Sequence, residues 1–238
     1  MRREFVIFNV AADIAHFRRQ YAITTALTYA IPPRTTLCGL VGAVLGLPKN
    51  ESLVNFGDQY AIFGLQIVRP VRTGHVSINL VQTKDNKLFR LKGENPRTAM
   101  RYEVIREPRF RIIFSHPTLG ARLAEVLHNK ETMYTPCLGL AWMIAWFEEE
   151  CWVESGELVL DDTGTQRFLS PVPSDDIQGE ILWNVNGLYQ RVRMPSEMQP
   201  DRRVTRYESY IIDTTGQAIE TSLKRYWRLD GGACFSAM

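Results

Sequence analysis

The sequence predicts an α+β protein built around a β-sheet. A β-branched and aromatic run near the N-terminus, EFVIFNVAA, is followed by apolar residues at helical spacing. Strand-like and helix-like segments alternate up to about residue 150, and from about Cys151 the chain changes to short strand-like runs separated by glycine, proline and aspartate. With 238 residues, of which 45% are hydrophobic, the chain can bury a sizeable core.

The first helix is predicted to begin near Arg34. The proline pair at 32–33 disfavours helical geometry just before it and presets the first turn. We expect Thr35 or Thr36 to cap the helix, because a threonine hydroxyl accepts from the exposed N–H groups of a first turn. The helical apolar positions are Leu37, Leu40, Val41, Val44 and Leu45, and the stop signals are Gly46 and Pro48.

The remaining elements suggest a known order of strands and helices. Strands are predicted at 4–12, 59–71, 75–83 and 108–115, a helix at 118–129, and a strand or buried segment at 138–148. The second and third strands are expected to be joined by a turn at 72–74. Leaving aside the polar stretch 84–104, the order βαββ then βαβ is typical of a ferredoxin-like or RRM-like sheet. We predict such a domain over 1–150 and a small antiparallel β domain over 151–238.

Charge is distributed unevenly although the net charge is only +2. Between Arg69 and Arg111 there are eleven lysines and arginines against four acids, a pattern that favours a phosphate-bearing partner. Residues 148–162 hold seven acids and no base. The small net charge therefore conceals a basic and an acidic region.

The start of the first helix is a candidate phosphate site. Exposed backbone N–H groups, the helix dipole and the guanidinium of Arg34 could converge there on one anion. Just upstream, cations and rings are interleaved in the way that single-stranded RNA binding uses them. These residues are His16, Phe17, Arg18, Arg19, Tyr21 and Tyr29. The helix also carries Gly39, Gly42 and Gly46, which permit close backbone approach.

Several classes of protein are disfavoured by the sequence. The four cysteines are far apart and form no CxxC pair, so we expect neither a disulfide framework nor a metal site, and we predict no cofactor. No apolar run approaches the length of a membrane span, and no secretory signal opens the chain. We expect a cytoplasmic protein with no membrane partner.

The segment AHFRRQYAITTALTYAIPPRTTLCGLVGAVLGLP, residues 15–48, resembles the N-terminal signature of CRISPR-associated subunit five. This RNA-binding family belongs to the RAMP superfamily of type I Cascade complexes, and the segment is most like the type I-B branch. REPRFRIIF at 106–114 and YTPCLGLAWMIA at 134–145 resemble the family's P-x-aromatic-R strand and Y-x-x-x-LG segment. The resemblance extends over roughly residues 5–146.

The resemblance implies a non-catalytic subunit that holds the 5′ handle of the CRISPR RNA and caps the backbone filament. Its implied partners are that RNA, the Cascade backbone subunit (subunit seven), the large subunit and, indirectly, target DNA. The RNA-binding residues it implies are His16, Arg18, Arg19, Tyr29, Arg34, Thr35, Thr36, Arg109 and Tyr134. A basic hairpin at about 82–104, the thumb, would contact RNA and the neighbouring subunit through Lys84, Lys87, Arg90, Lys92, Arg97 and Arg101.

Two alternatives remain open from the sequence. The type I-C branch of the family is a metal-independent endoribonuclease, and a set of Tyr29, His128 and Lys130 could supply acid–base groups. His75 and His116 are further candidates. The processing subunit six is a weaker nuclease alternative, since only Gly231 and Gly232 offer a C-terminal glycine-rich loop. An adaptor that uses the acidic run 148–162 without touching RNA is the second alternative.

Overall fold

A computed structural model describes residues 1–20, 25–81 and 97–238, and β-strands dominate it. Its helices are α1 (Arg34–Leu45), α2 (Lys49–Asn55) and α3 (Leu119–His128). The strands of the first half are β1 (Arg2–Ala12), β2 (Ile14–Ala15), β3 (Ile62–Ile67), β4 (Thr73–Val81), β5 (Arg97–Arg106), β6 (Arg109–Ser115) and β7 (Ala145–Leu160). Those of the second half are β8 (Gln166–Phe168), β9 (Val172–Pro173), β10 (Tyr189–Met198), β11 (Val204–Asp213), β12 (Ile219–Thr221), β13 (Arg225–Leu229) and β14 (Cys234–Phe235). The predicted α+β class is confirmed.

The largest sheet in the described part of the chain has eight strands in the order β12-β8-β14-β13-β7-β1-β6-β3. β1 lies between β6 and β7 and pairs antiparallel with both, and β3 pairs antiparallel with β6. In the chain, α1 separates β1 from β3 and α3 separates β6 from β7. The predicted segments for β1, α1, β6 and α3 are confirmed, because local apolar periodicity was sufficient to define them.

The sheet buries different clusters on its two faces, because successive strand residues point to opposite sides. Phe8 and Val10 of β1 belong to the large buried cluster that includes Leu37 and Val41 of α1. The alternate residues of β1 belong to a second cluster with residues from β13 and β14. The helices therefore cover one face of the central strands, and the C-terminal strands contribute to the core on the other.

β4 and β5 form an antiparallel hairpin that lies outside the large sheet and pairs with β2. Tyr102 and Val104 on one side of this hairpin are buried with Ala26 and Met143. The predicted turn at 72–74 does not pair β3 with β4, because those two strands belong to different sheets. Apolar periodicity identifies strands but does not identify their partners.

The segment before β7 is a turn and not a strand, which corrects the expectation for residues 138–144. Leu138 N–H donates to the Met143 carbonyl at 3.0 Å, and Met143 N–H donates to the Leu140 carbonyl at 2.9 Å. Gly139 adopts a φ of 107°, a conformation that interrupts extended structure. β7 begins only at Ala145.

The C-terminal half continues the large sheet and adds a small one. β7 pairs with β1 on one side and with β13 on the other, so the proposed boundary between residues 150 and 151 falls inside a strand. β10, β11 and β9 form a separate antiparallel sheet of three strands in the described residues. The four cysteines are free. No helix in the described ranges is long and apolar enough to cross a membrane.

Candidate functional site

Arg34 is the first residue of α1, and its side chain is buried. The guanidinium donates hydrogen bonds to the carbonyls of Phe56 at 2.6 Å, Ala61 at 3.2 Å and Ser196 at 3.4 Å. It also lies 5.5 Å from the centre of the Phe63 ring. With only 3% of the residue exposed, Arg34 cannot offer its guanidinium to an RNA phosphate. The predicted phosphate contact of Arg34 is therefore corrected: this side chain joins three segments of the protein.

The cap of α1 also differs from expectation. Pro33 is the N-cap residue, and no side chain makes a capping hydrogen bond. The Pro33 carbonyl instead accepts from the N–H of Thr36 at 2.8 Å and of Leu37 at 3.2 Å. Because helix geometry starts directly after the proline pair, Thr35 and Thr36 belong to the first turn and do not cap it. Both are half-buried.

A groove of about 580 Å³ runs beside α1, and we call it the α1 groove. Thr35, Thr36 and Gly39 line it on the helix side. Arg202, from the turn between β10 and β11, and Tyr134 belong to the same lining. The groove thus combines threonine side chains, exposed helix backbone, an aromatic ring and a cation with apolar side chains, among them Leu47, Leu53 and Met198.

Two of the α1 glycines have different surroundings. A Cβ on Gly39 would meet no atom within 4 Å, so this position opens the helix backbone to the groove. A Cβ on Gly42 would collide with the Ser52 side chain, so Gly42 permits α1 to pack closely against α2. The expectation of close backbone approach is confirmed for Gly42.

Tyr134 is held beside α1 by a backbone contact distant in sequence, whereas Arg202 belongs to a local turn. Tyr134 N–H donates to the Ala43 carbonyl of α1 at 3.0 Å, and Tyr134 is 55% exposed. Arg202 has a φ of 69°, and its N–H donates to the Gln199 carbonyl at 2.8 Å within the turn. Arg202 could not be identified from the sequence, where the only local signal is the turn sequence PDRR at 200–203.

The two arginines upstream of α1, Arg18 and Arg19, differ in how accessible their side chains are. Arg18 is exposed, whereas Arg19 donates from Nε to the Thr28 carbonyl at 2.8 Å and lies 5.6 Å from the centre of the Tyr29 ring. Tyr29 itself is buried. Arg18 is thus the residue of this group that is most accessible to a ligand.

His16 is buried, which alters its predicted role. Its Nδ1–H donates to the Glu103 carbonyl at 2.7 Å, and its Nε2 is buried without a hydrogen-bond partner in the described residues. Burial lowers the pKa of His16, and the hydrogen bond to Glu103 opposes this only in part. With 2% of the residue exposed, a direct contact of His16 with RNA is not compatible with the structure.

Arg109 is not brought to the α1 groove. It lies opposite Ala11 on β1, on the sheet face that the helices do not cover. Its Nη2 is 3.2 Å from the Glu148 carboxylate. Nearby, Arg111 donates to Asn9 at 3.0 Å, and Asn9 donates to Glu149 at 2.6 Å. The basic and acidic regions of the sequence therefore meet on this sheet face.

The thumb residues are only partly within the described structure. Arg97 and Arg101 are exposed on the same side of β5, opposite the buried side chains of Tyr102 and Val104. Lys84, Lys87, Arg90 and Lys92 lie outside the described residues.

The candidate acid–base residues differ in how accessible their side chains are. His116 accepts through Nδ1 from the N–H groups of Thr118 and Leu119 at the start of α3, and its Nε2–H donates to the Asn55 carbonyl at 3.1 Å. Burial lowers the pKa of His116. His75, His128 and Lys130 are exposed, whereas Tyr29 is buried.

Three solved structures with a similar fold are CRISPR proteins or parts of CRISPR complexes. A chain of a CRISPR RNA-guided surveillance complex aligns with a TM-score of 0.55 at 12% identity, covering 92% of each chain. A CRISPR protein from Archaeoglobus fulgidus aligns with a TM-score of 0.54 at 12% identity, covering 97% of each chain. A chain of a Type III-B Cmr-beta complex bound to cognate target RNA aligns with a TM-score of 0.50 at 12% identity, covering 90% of this chain and 86% of that one. The fold is thus one that CRISPR proteins adopt.

The sequence identifies the family. The family model described as CRISPR-associated protein (Cas_Cas5) matches residues 5–125, which is more than half of the chain. The comparison with curated protein sequences found no match. The chain belongs to the Cas5 family of CRISPR-associated proteins.

Proposed function

We propose that this protein is a non-catalytic RNA-binding subunit of a CRISPR effector complex, and that it holds the 5′ handle of the CRISPR RNA. The α1 groove is the observation that carries the proposal. Its threonines can donate to phosphate or sugar oxygens, the Tyr134 ring can stack on an unpaired base, and Arg202 can pair with a phosphate. Family membership over residues 5–125, which include α1, supports the same assignment.

Arg18, Thr35, Thr36 and Tyr134 remain in the proposed binding surface, and Arg202 joins them. Arg34 and His16 act from beneath this surface, because their buried side chains hold the segments that form it. Arg19 and Tyr29 form a pair that supports the backbone beside Arg18. Arg109 is excluded from this surface by its position on the opposite sheet face.

We further propose that the first half is the ferredoxin-like domain and that the β4–β5 hairpin is the base of the thumb. The order β7-β1-β6-β3, with a helix in each crossover, supports the first assignment. The exposed Arg97 and Arg101 support the second, since a basic hairpin can contact RNA phosphates and the neighbouring backbone subunit. The large subunit and, indirectly, target DNA are the other proposed partners. The resemblance of segment 15–48 supports assignment to the type I-B branch.

Substitution of Arg202 by Ala is expected to weaken binding of the CRISPR RNA about tenfold, because one charge-assisted contact of about 1.5 kcal/mol is lost. The slope of log affinity against log salt should decrease by about 0.7, the value for one single-strand phosphate contact. The measurement is a fluorescence anisotropy titration of labelled CRISPR RNA with the full chain at several salt concentrations.

Arg203→Ala is the matched control for Arg202→Ala. Arg203 is the next residue in the same turn, but its guanidinium donates to Gln199 at 2.7 Å and it is not among the residues lining the groove. We expect near wild-type affinity for Arg203→Ala. Equal effects of the two substitutions would indicate general charge attraction and would contradict the groove proposal.

The protein is expected not to cleave precursor CRISPR RNA. The buried Tyr29 and the helix-capping His116 are poorly placed to exchange protons with a bound RNA. Incubation of the purified chain, and of the assembled complex, with end-labelled precursor should leave the RNA intact on a denaturing gel. Metal-independent cleavage that is lost in His128→Ala, with RNA binding retained, would establish the endoribonuclease alternative.

A further inference from the structure

The strand β10 is irregular where it passes α1. Its pairing register with β11 shifts between Pro195 and Glu197, which leaves Ser196 without a paired residue at that point. Ser196 is 1% exposed, and its carbonyl accepts from Arg34 at 3.4 Å. A bulge of this kind bends a strand and redirects the residues after it. In β10 those residues lead into the turn that carries Arg202.

Arg206 of β11 connects this bulge to the loop between α2 and β3. Its Nη1 lies 2.6 Å from the Asp58 carboxylate, and its Nε donates to the Ser196 hydroxyl at 3.1 Å. The same Nε lies 3.1 Å from the Glu208 carboxylate. An isolated surface ion pair contributes little to stability. A guanidinium shared among several acceptors restricts the relative positions of the segments that carry those acceptors more strongly.

Glu197 adds a second connection between the same two segments. Its carboxylate accepts from the backbone N–H of Asp58 at 3.4 Å. The side-chain carboxyl of Asp58 raises the pKa of Glu197 above its usual value, whereas the backbone N–H of Asp58 acts to lower it. Burial is the largest single influence on the pKa of Asp58 and acts to raise it, but the side-chain hydrogen bonds to Glu197 and Arg206 and the charge of Arg206 together lower it. Asp58 is therefore the anionic partner of Arg206. We call Asp58, Ser196, Glu197 and Arg206 the hairpin clamp.

We propose that Arg206 is a positioning residue for the α1 groove, because the hairpin clamp holds the β10–β11 turn from which Arg202 lines the groove. Arg206 lies four residues along the chain from Arg202 and is not among the residues lining the groove. It acts on RNA through the placement of Arg202 and does not contact the RNA itself. This inference rests on the proposed function of the groove.

A double-mutant cycle between positions 202 and 206 tests the inference. The full chain is titrated with fluorescein-labelled CRISPR RNA at several salt concentrations, as wild type, Arg202→Ala, Arg206→Met and the double variant. We expect Arg206→Met to weaken binding about as much as Arg202→Ala, roughly tenfold, and to reduce the salt slope by about 0.7. The double variant should bind no more weakly than Arg202→Ala alone, because its contact is already lost.

Three further variants separate positioning from loss of folding. Asp58→Asn keeps the volume of the Asp58 side chain but removes its charge, and it should weaken RNA binding as Arg206→Met does. Arg206→Lys should restore only part of the affinity, since lysine lacks the planar fork. Arg193→Met is the matched control: Arg193 is exposed on β10 with its guanidinium 5.3 Å from the Tyr207 ring centre, and it should bind like wild type. Circular dichroism and thermal unfolding establish that each variant is folded.

The outcomes distinguish the inference from the proposed function. If Arg202→Ala weakens binding but Arg206→Met and Asp58→Asn do not, the groove binds RNA and the positioning role is wrong. If the effects at 202 and 206 add, Arg206 contributes independently and the positioning role is again wrong. If Arg202→Ala has no effect, the groove proposal fails and the inference fails with it.

Discussion

Replacing Arg34 by methionine is expected to lower the free energy of unfolding by about 3 to 5 kcal/mol. Methionine fills much of the space but cannot donate to the carbonyls of Phe56 and Ala61, which the guanidinium satisfies at 2.6 and 3.2 Å. Each buried carbonyl left without a donor costs about 1 to 3 kcal/mol. The contact with the Ser196 carbonyl is lost as well. Urea unfolding of the full chain, followed by tryptophan fluorescence, measures the change.

Arg18→Met is the control for Arg34→Met. Arg18 is exposed upstream of α1, so its replacement should change the free energy of unfolding by no more than about 0.5 kcal/mol. In the RNA titration the two variants should differ in the slope of log affinity against log salt. Arg18→Met should lower the salt slope, whereas folded Arg34→Met should keep it. A stable Arg34→Met protein with a reduced salt slope would restore the phosphate role that the sequence suggested.

Replacing Gly139 by alanine is expected to lower the free energy of unfolding by about 4 kcal/mol. Gly139 has a φ of 107°, which an alanine adopts only with strain. An added Cβ would also collide with the backbone carbonyl of His16, and backbone cannot move aside as a flexible side chain can. His16 N–H donates to the Leu138 carbonyl at 3.1 Å, so the two segments are held together at this point. Thermal and urea unfolding measure the loss.

Gly232→Ala separates backbone strain from collision. Gly232 has a φ of 85°, but a Cβ there would meet no atom within 4 Å. Its replacement should therefore lower the free energy of unfolding only by the cost of backbone strain, about 1 to 2 kcal/mol. Similar losses for Gly139→Ala and Gly232→Ala would show that the close approach of Gly139 to the His16 carbonyl does not constrain the turn.

The central elements of the fold could be predicted from the sequence because each depends on local chemistry. Alternating β-branched and aromatic residues define β1 and β6, and apolar residues at helical spacing define α1 and α3. The proline pair at 32–33 determines where α1 begins, and Gly46 in the left-handed conformation ends it. The segment at 15–48 was also sufficient to indicate the family that residues 5–125 match.

The surroundings of the candidate site residues depend on contacts between segments far apart in the chain. Arg34 has the residue type and helix position of a phosphate ligand, yet carbonyls at 56, 61 and 196 surround its guanidinium. Arg202 has no local signal beyond a polar turn, yet it lines the same groove as Thr35, Thr36 and Gly39 of α1.

The sequence by itself determined the class of fold, the start and end of α1 and the family. The tertiary structure alone decided which cations are buried in the protein and which line the α1 groove. The physical reason is that a buried guanidinium requires several acceptors at once. Those acceptors are backbone carbonyls, which every residue carries and no sequence pattern distinguishes.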